Sequence, residues 1–445
     1  MEAPNVDLSS TSIITAVCTL KGFRLDYVPL NRTLFHSGRH VMSSIHWHDI
    51  LVSDYLLALL IPLVLFVLTL QILGSPQDLP DIIFGYRNAR ADAVGHFSVQ
   101  RAAASYGQYA QLSRSELATM RKSYGRMSWA HRRIGYELGY TQKLARLEMS
   151  IDTNAIVSEA IANLAREEFA DELSHEQHGM PKYGILGDIG RVRESLKHFV
   201  RDWSDEGRTE REKIFQPILD VLRDVPGEKR REMQVLVPGA GLGRLAWEIS
   251  ELGYPTTANE LSFFMNLALR FLLSPEHTRG PNQHVLQPYA SWFSHQRVTD
   301  TLFRKISFPD AVPRLSDNFV LAERDFLSLR VPKGTQGYDI VVTLFFIDTS
   351  LNVIETLEHI YTVLRPGGKW INLGPLLWTG GGQAAVELSL EEVLKLAETV
   401  GFDVSGEDAP ELTRRRTVEC EYTADKAAMM RWLYQAEFWV ATKKL

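Results

Sequence analysis

The first chemistry legible in this chain is that of a strand running into glycines. Val235-Leu236-Val237-Pro238 is a short apolar run, followed at once by Gly239-Ala240-Gly241-Leu242-Gly243 and then by a helical pattern from Arg244 to Leu252. Backbone without Cβ atoms can approach a ligand closely, and the helix N-terminus behind it presents unpaired N–H groups. A second apolar run, from about Pro255 to Ala258, ends in Glu260. That is about 20 residues beyond the first glycine, where a carboxylate can accept both hydroxyl protons of a ribose. Together these features predict a nucleotide site. A nicotinamide dinucleotide fingerprint reads G-x-G-x-x-G, and the last of those positions here is Arg244. The spacing therefore favours S-adenosylmethionine (SAM) over a dinucleotide, and no evident hydride-transfer acid supports an oxidoreductase.

Further runs repeat the alternation of strand and helix. Phe319 to Ala322 leads into Glu323-Arg324-Asp325-Phe326, where a carboxylate can accept adenine amino protons and a ring can cover the base. Tyr338 to Phe346 is a strong strand pattern, ending in Ile347-Asp348-Thr349. Asp348 there also suits the cap of the helix that follows, Val353 to Leu364. The turn Arg365-Pro366-Gly367-Gly368 then leads to a strand at Lys369 to Leu373. Ser389-x-x-Glu392 reads as a capping box for a helix from Leu390 to Val400, stopped by Gly401. Late strands are expected near Thr417 to Tyr422 and Tyr434 to Ala441. Residues 227–445 are thus read as an α/β domain built on a seven-stranded Rossmann-like sheet.

The elements before this domain are of a different kind. Residues 76–226 form an α-helical domain, with apolar residues three and four apart in segments such as Gln111 to Arg146 and Ile151 to Leu173. The basic run Arg121-Lys122, Arg126, Arg132-Arg133 is read as a solvated helix face. After a Gly-rich break at Gly184 to Gly190, one helix carries Leu196, Phe199, Val200 and Trp203, and another spans about Arg208 to Leu222. Residues 1–54 show no clear period and are expected to be a poorly ordered N-terminal region. Residues 55–75 contain the uncharged stretch Tyr55 to Leu73, long enough for a membrane helix, which needs about 20 apolar residues; a buried helix is the competing reading. Arg32 and Arg39 before it and Arg87 and Arg90 after it leave its orientation open.

Composition sets outer bounds. A chain of 445 residues, 45% hydrophobic and 23% charged, can bury large cores and is not globally disordered. A formal net charge of -6 excludes a protein held to nucleic acid by bulk positive charge. Cys18 and Cys420 are too few for a disulfide framework or a zinc site. No metal is expected.

From about residue 190 onward the chain resembles the carnosine N-methyltransferase family. The runs that carry the resemblance are Phe199 to Ser204, Val235 to Glu248, Asn259 to Met265, Phe345 to Thr349 and Trp370 to Leu377. His96-Phe97 fits the start of the family's helical domain weakly, and nothing before residue 76 resembles it. The resemblance implies a SAM-dependent class I methyltransferase with an added helical N-terminal domain, acting on a small-molecule or peptide acceptor, with a homodimer admitted. Arg201, with His198 one turn earlier, would cover the methionyl end of SAM. Gly239 would make room for the cofactor, Glu260 would hold the ribose, Asp325 and Phe326 the adenine, and Leu344 would line the pocket. Asp348 falls at the family's acidic substrate-binding position, and Tyr422, Trp432 and Tyr434 fall where the family places aromatic residues around the acceptor.

Two positions depart from the family. Thr379, followed by Gly380-Gly381-Gly382, stands where the family has a His that helps seat a dipeptide, and Trp432 stands where Tyr is commoner. Methyl transfer is implied all the same, while the dipeptide acceptor depends on that missing imidazole. With an imidazole acceptor, Asp348 is the expected catalytic group: it can take one ring N–H while the other nitrogen attacks the methyl. The alternatives are a methyltransferase with a different small-molecule acceptor and a membrane-anchored SAM-binding protein without turnover. The expected location is cytoplasmic, with the nucleus admitted; an anchored form would face the cytosol, where SAM is made.

Overall fold

The computed structural model describes residues 95–175, 187–380, 383–406 and 408–444. Residues 1–54 and the apolar stretch Tyr55 to Leu73 lie outside them. Among the described residues, no helix is long and apolar enough to cross a membrane.

Three helices open the described chain: α1 (Val99–Gly125), α2 (Trp129–Glu137) and α3 (Tyr140–Glu168). The segment Gln111 to Arg146, read as helical from its spacing, is divided twice. The Ser128 hydroxyl accepts the His131 N–H and starts a new helix after Gly125. Gly139 then takes a φ of 78°, which ends α2 and lets α3 begin. α1 and α3 bury small and aromatic residues against each other, Ala102, Tyr106 and Tyr109 from one, Leu147, Ile151 and Ala155 from the other. A short α4 (Ala170–His175) follows. α5 (Ile189–Trp203) turns Val192, Leu196, Phe199, Val200 and Trp203 inward, at the spacing that makes one helix face. α6 (Arg208–Arg223) and a single turn, α7 (Gly227–Arg230), lead to the sheet.

The rest alternates: β1 (Val235–Pro238), α8 (Arg244–Glu251), β2 (Thr256–Asn259), α9 (Phe263–Leu273), β3 (His284–Leu286), α10 (Thr299–Leu302), β4 (Ile306–Phe308), β5 (Phe319–Ala322), β6 (Tyr338–Leu344), α11 (Val353–Val363), β7 (Leu364–Gly374), α12 (Leu390–Val400), β8 (Phe402–Val404), β9 (Arg416–Cys420) and β10 (Tyr434–Lys443). The main sheet has the order β5-β2-β1-β6-β7-β10-β8. Strands β5, β2, β1, β6 and β7 are parallel, and β10 runs antiparallel to β7. The Rossmann-like architecture is the expected one, with a difference in strand inventory. The strand expected near Thr417 to Tyr422 is β9, which lies off the seven-strand path and pairs with the first half of β10, Tyr434 to Phe438, while the short β8, not expected, pairs with Ala441 to Lys443. β3 and β4 form a separate antiparallel pair.

The early helices and the sheet-side helices share one apolar core. Tyr106 and Phe199 belong to the same buried cluster as Phe264, Phe271 and Phe308. The Tyr106 hydroxyl donates to the Phe264 carbonyl at 2.6 Å, and Asn154 bonds both backbone groups of Gln287. Such pairings satisfy polar groups that burial would otherwise leave unmade. A second polar stitch crosses the sheet. The Trp370 indole N–H donates to Thr343 Oγ1 at 2.7 Å, the Thr343 hydroxyl donates to Asn372 Oδ1 at 2.8 Å, and Asn372 Nδ2 donates to the Glu437 carbonyl at 3.3 Å.

Candidate active site

Strand order reverses between β1 and β6: β2 and β5 lie on one side, β7 and β10 on the other. In an open α/β sheet the carboxyl ends of strands at such a switch point frame a crevice for a ligand. The glycine loop stands there. Gly239 has a φ of 63°, and a Cβ on it would come within 2.5 Å of the Phe346 ring. Gly243, at φ 72°, would drive a Cβ to 2.8 Å from Leu269. Both need glycine for conformation and for packing, Gly239 making room for the Phe346 ring.

The carboxylate of Glu260 bends over this loop. Its Oε2 accepts the Gly241 N–H at 2.9 Å and its Oε1 the Ser262 N–H at 2.8 Å. A carboxylate has about four lone-pair directions, so it retains acceptor capacity beyond these bonds. Burial pushes the Glu260 carboxyl above its ordinary range, against these N–H bonds. At the end of β5, Asp325 caps a short turn by accepting the Leu327 N–H at 2.9 Å. Phe326 beside it is only 6% exposed, edge-on to Phe346 and His359, so its ring is largely committed to packing.

α5 supplies the opposite wall. The Arg201 guanidinium binds Asp202 through two nitrogens, at 2.6 and 2.8 Å, and is 7% exposed. Burial opposes the charge on Asp202, yet Arg201 outweighs it and holds that carboxyl well below the usual carboxylate range. Arg201 Nη1 is buried and has no hydrogen-bond partner, as is true of His198 Nδ1, which stands 3.7 Å from Asp202 Oδ2. Burial, and then Arg201, lower the His198 pKa, so the ring is neutral near pH 7. The backbone under Arg201 is fixed in turn: Arg211 donates to the carbonyls of Arg201 and Ser204 at 2.7 Å, and Arg244 to that of Asp202 at 3.1 Å. Asp310 bridges those two arginines at 2.5 and 2.6 Å. Arg244, the residue that breaks the dinucleotide fingerprint, thus ties the glycine loop to α5. A cavity with about 410 Å³ of unfilled space, counted to its open mouth, is lined by Arg201, Gly239, Gly241, Leu344 and Tyr422 among others.

Residues expected on the acceptor side, Asp348, Tyr422 and Tyr434, gather near the ends of β6 and β10. Asp348 is 4% exposed and sits in a short 3-10 turn, Ile347–Thr349. It does not cap α11, a role taken by Asn352, which accepts the Glu355 N–H. Instead Asp348 Oδ2 accepts the Leu377 N–H at 2.9 Å, and its own carbonyl accepts the Thr379 N–H at 3.0 Å. Burial pushes the Asp348 carboxyl up, against the Leu377 bond. Burial and then the Asp348 charge raise the Tyr434 hydroxyl pKa. Phe345, held at φ 50°, joins two aromatic residues: Tyr422 stacks on it at 4.4 Å and Tyr434 meets it edge-on at 5.6 Å. Tyr422 also lies under Arg201, 4.3 Å away, and burial raises its pKa.

Most of the residues singled out from sequence therefore converge on this crevice. Trp432 does not, being 66% exposed, and the Thr379 side chain also faces solvent. Sequence reasoning passed over Asp202, Phe345 and the Arg211–Asp310–Arg244 bridge. Asp202 was signalled only by its place in Arg201-Asp202-Trp203, charges inside an apolar helix face. Among the described residues, no group of three or more His, Cys, Asp or Glu is arranged to hold a metal.

A switch-point glycine loop, an acid after β2 and an antiparallel last strand define a Rossmann-like methyltransferase. Residues 180–445 match the family model for carnosine N-methyltransferase. The carnosine N-methyltransferase of Schizosaccharomyces pombe is 32% identical over 355 residues, covering 75% of this chain and 92% of that protein. That of Mus musculus is 33% identical over 310 residues, 67% of this chain and 75% of its own. A phosphoethanolamine N-methyltransferase structure from Haemonchus contortus aligns with a TM-score of 0.28 and 18% identity over 50% of this chain and 46% of its own, and adds nothing to the topology above. The chain belongs to the carnosine N-methyltransferase family, and it is a SAM-dependent N-methyltransferase.

Proposed function

We propose that this chain methylates an imidazole nitrogen of carnosine or of a related His-containing dipeptide or peptide, with SAM bound across the β1–β6 crevice. The residues present fit that cofactor. The unpartnered Arg201 Nη1 lies at the wall where a methionyl carboxylate would need a donor, and Arg201 Nη2 is 3.9 Å from where a Cβ on Gly241 would stand. Glu260 has the acceptor capacity for both ribose hydroxyls, Asp325 sits where adenine amino protons would need one, and Leu344 and Gly239 line the floor. When bound, SAM supplies an electrophilic methyl group on a sulfonium.

The protein's part is alignment and charge. Asp348 would accept one imidazole N–H, which leaves the other nitrogen with its lone pair free to face the methyl. As positive charge develops on the ring, the carboxylate, already oriented by Leu377, stabilises it without reorganising. Tyr422 and Tyr434, joined by Phe345, provide aromatic walls for a flat cationic product. The observation that carries this reading is the buried Asp348 carboxylate at the end of β6, tied to the Leu377 backbone and close enough to Tyr434 to shift its hydroxyl. Incubation with labelled SAM and a panel of carnosine, other His-containing dipeptides and His peptides tests it. Label on an imidazole nitrogen is expected; label only on acceptors without imidazole would overturn it. One observation favours a second reading, a different small acceptor: solvent-facing Thr379 stands where the family places an imidazole.

A further inference from the structure

Tyr422 serves both ends of the site, yet β9 stops at Cys420 and does not hold it. The chain leaves through Thr423, which has a φ of 51°, a region that side-chain-bearing residues seldom occupy unless something holds them there. That hold comes from α6. Glu210 is 8% exposed, and its carboxylate accepts the Thr423 N–H at 2.6 Å and the Ala424 N–H at 3.3 Å, one on each oxygen. The next residues are fixed by charge: Arg304 binds Asp425 at 2.8 Å while also gripping Glu206, and Lys426 donates to the Glu206 carbonyl at 2.8 Å. Farther on, Met430, Trp432 and Leu433 are exposed.

We infer that Glu210 is a positioning residue for the methyl acceptor: by taking both N–H groups it keeps Thr423 in the left-handed conformation and holds the Tyr422 ring between Arg201 and Phe345. This rests on the function proposed above, since Tyr422 matters as a wall for the acceptor. A carboxylate does this best, because the two N–H groups meet it on different oxygens, Oε1 and Oε2. In Gln one of those two positions becomes an NH2 group that cannot accept, so in this geometry one N–H is lost, and Ala accepts neither. Glu210 is not required to attract the cofactor: its charge partly offsets that of Arg201, so removing it does not weaken the pull on a carboxylate.

The test compares Glu210→Gln, Glu210→Ala and Glu210→Ala/Thr423→Gly with the parent. Acceptor KM should rise about threefold in the Gln variant and at least tenfold in the Ala variant, with SAM Kd within threefold of the parent. Thr423→Gly accepts the positive φ without strain, so the double variant should recover part of the acceptor KM. A loss of Tm or of active fraction with acceptor KM unchanged would make Glu210 a merely structural residue and overturn the inference. So would an Ala variant that the glycine does not rescue. If the parent transfers no label to any imidazole, it is the proposed function that fails. Amide exchange then decides the latch: at least tenfold faster exchange at Thr423 and Ala424 in Glu210→Ala, at unchanged global stability, supports it, and unchanged exchange removes it.

Discussion

The ends of the crevice proposed for the cofactor and for the acceptor are built differently. Around the glycine loop the polar groups are already engaged: Glu260 is bonded to Gly241 and Ser262, and Arg201 is clasped by Asp202 and carried on backbone fixed by Arg211 and Arg244. At the proposed acceptor end Asp348 is equally fixed, but Trp432 and Thr379, expected there from sequence, lie open to solvent instead. The first end is ready for a constant partner whose shape does not vary. The second combines one rigid carboxylate with side chains that are uncommitted, which is where acceptor choice can change without disturbing methyl transfer.

Substitutions should separate the two ends. The largest effect is expected from Glu260→Ala, which removes a charged acceptor of two hydroxyl bonds; SAM affinity should fall by about 1.5–3 kcal/mol, or about 10- to 150-fold, by calorimetry. Unchanged affinity would detach the ribose from Glu260. Asp348→Asn should lower kcat at least about tenfold while SAM binding stays within about twofold, because the amide can accept the ring N–H but cannot balance the developing charge. Equal turnover in the two proteins would reduce Asp348 to a brace for the Leu377 backbone.

A pH series sharpens the same contrast. Burial raises the Glu260 pKa from 4.5, and its ionised form is the one that accepts ribose protons. SAM affinity should therefore decline, as pH falls, from a point above the ordinary carboxylate range, by up to about tenfold per pH unit below the free protein's pKa. Glu260→Gln should lack that decline, and a titration in which the two proteins behave alike would refute the assignment. The smallest effect is expected from Thr379→His. It should raise kcat/KM for carnosine by about two- to tenfold, the range of one hydrogen bond. No gain would point to an acceptor other than a dipeptide.

The contrast also explains what could be read from sequence. The glycine loop, Glu260 and the strands β1, β2 and β6 are local patterns, an apolar run followed by a turn, and they announce themselves within a few residues. β8 has three residues and β3 and β4 three each, too short to show a period. The divisions of α1 from α2 and of α2 from α3 turned on Ser128 and Gly139, small signals inside a long helical pattern. Asn352-x-x-Glu355 offered a capping signal as good as that of Asp348, and the structure uses it. Glu210 and Asp310 carried no such sign. Their partners lie 213 and 99 residues away, distances that only the folded sheet closes.

The polar stitch through Trp370, Thr343, Asn372 and the Glu437 carbonyl lies in the sheet interior, away from any reacting group. Its consequence is metric. β6 delivers Asp348 and β10 begins at Tyr434, so the width of the gap between them is set by how those strands are indexed against β7. A one-residue slip would turn every side chain to the other face and would bury an indole N–H, a hydroxyl and an amide without partners. The stitch therefore acts as a gauge block, fixing from the middle of the sheet the span of the pocket at its edge.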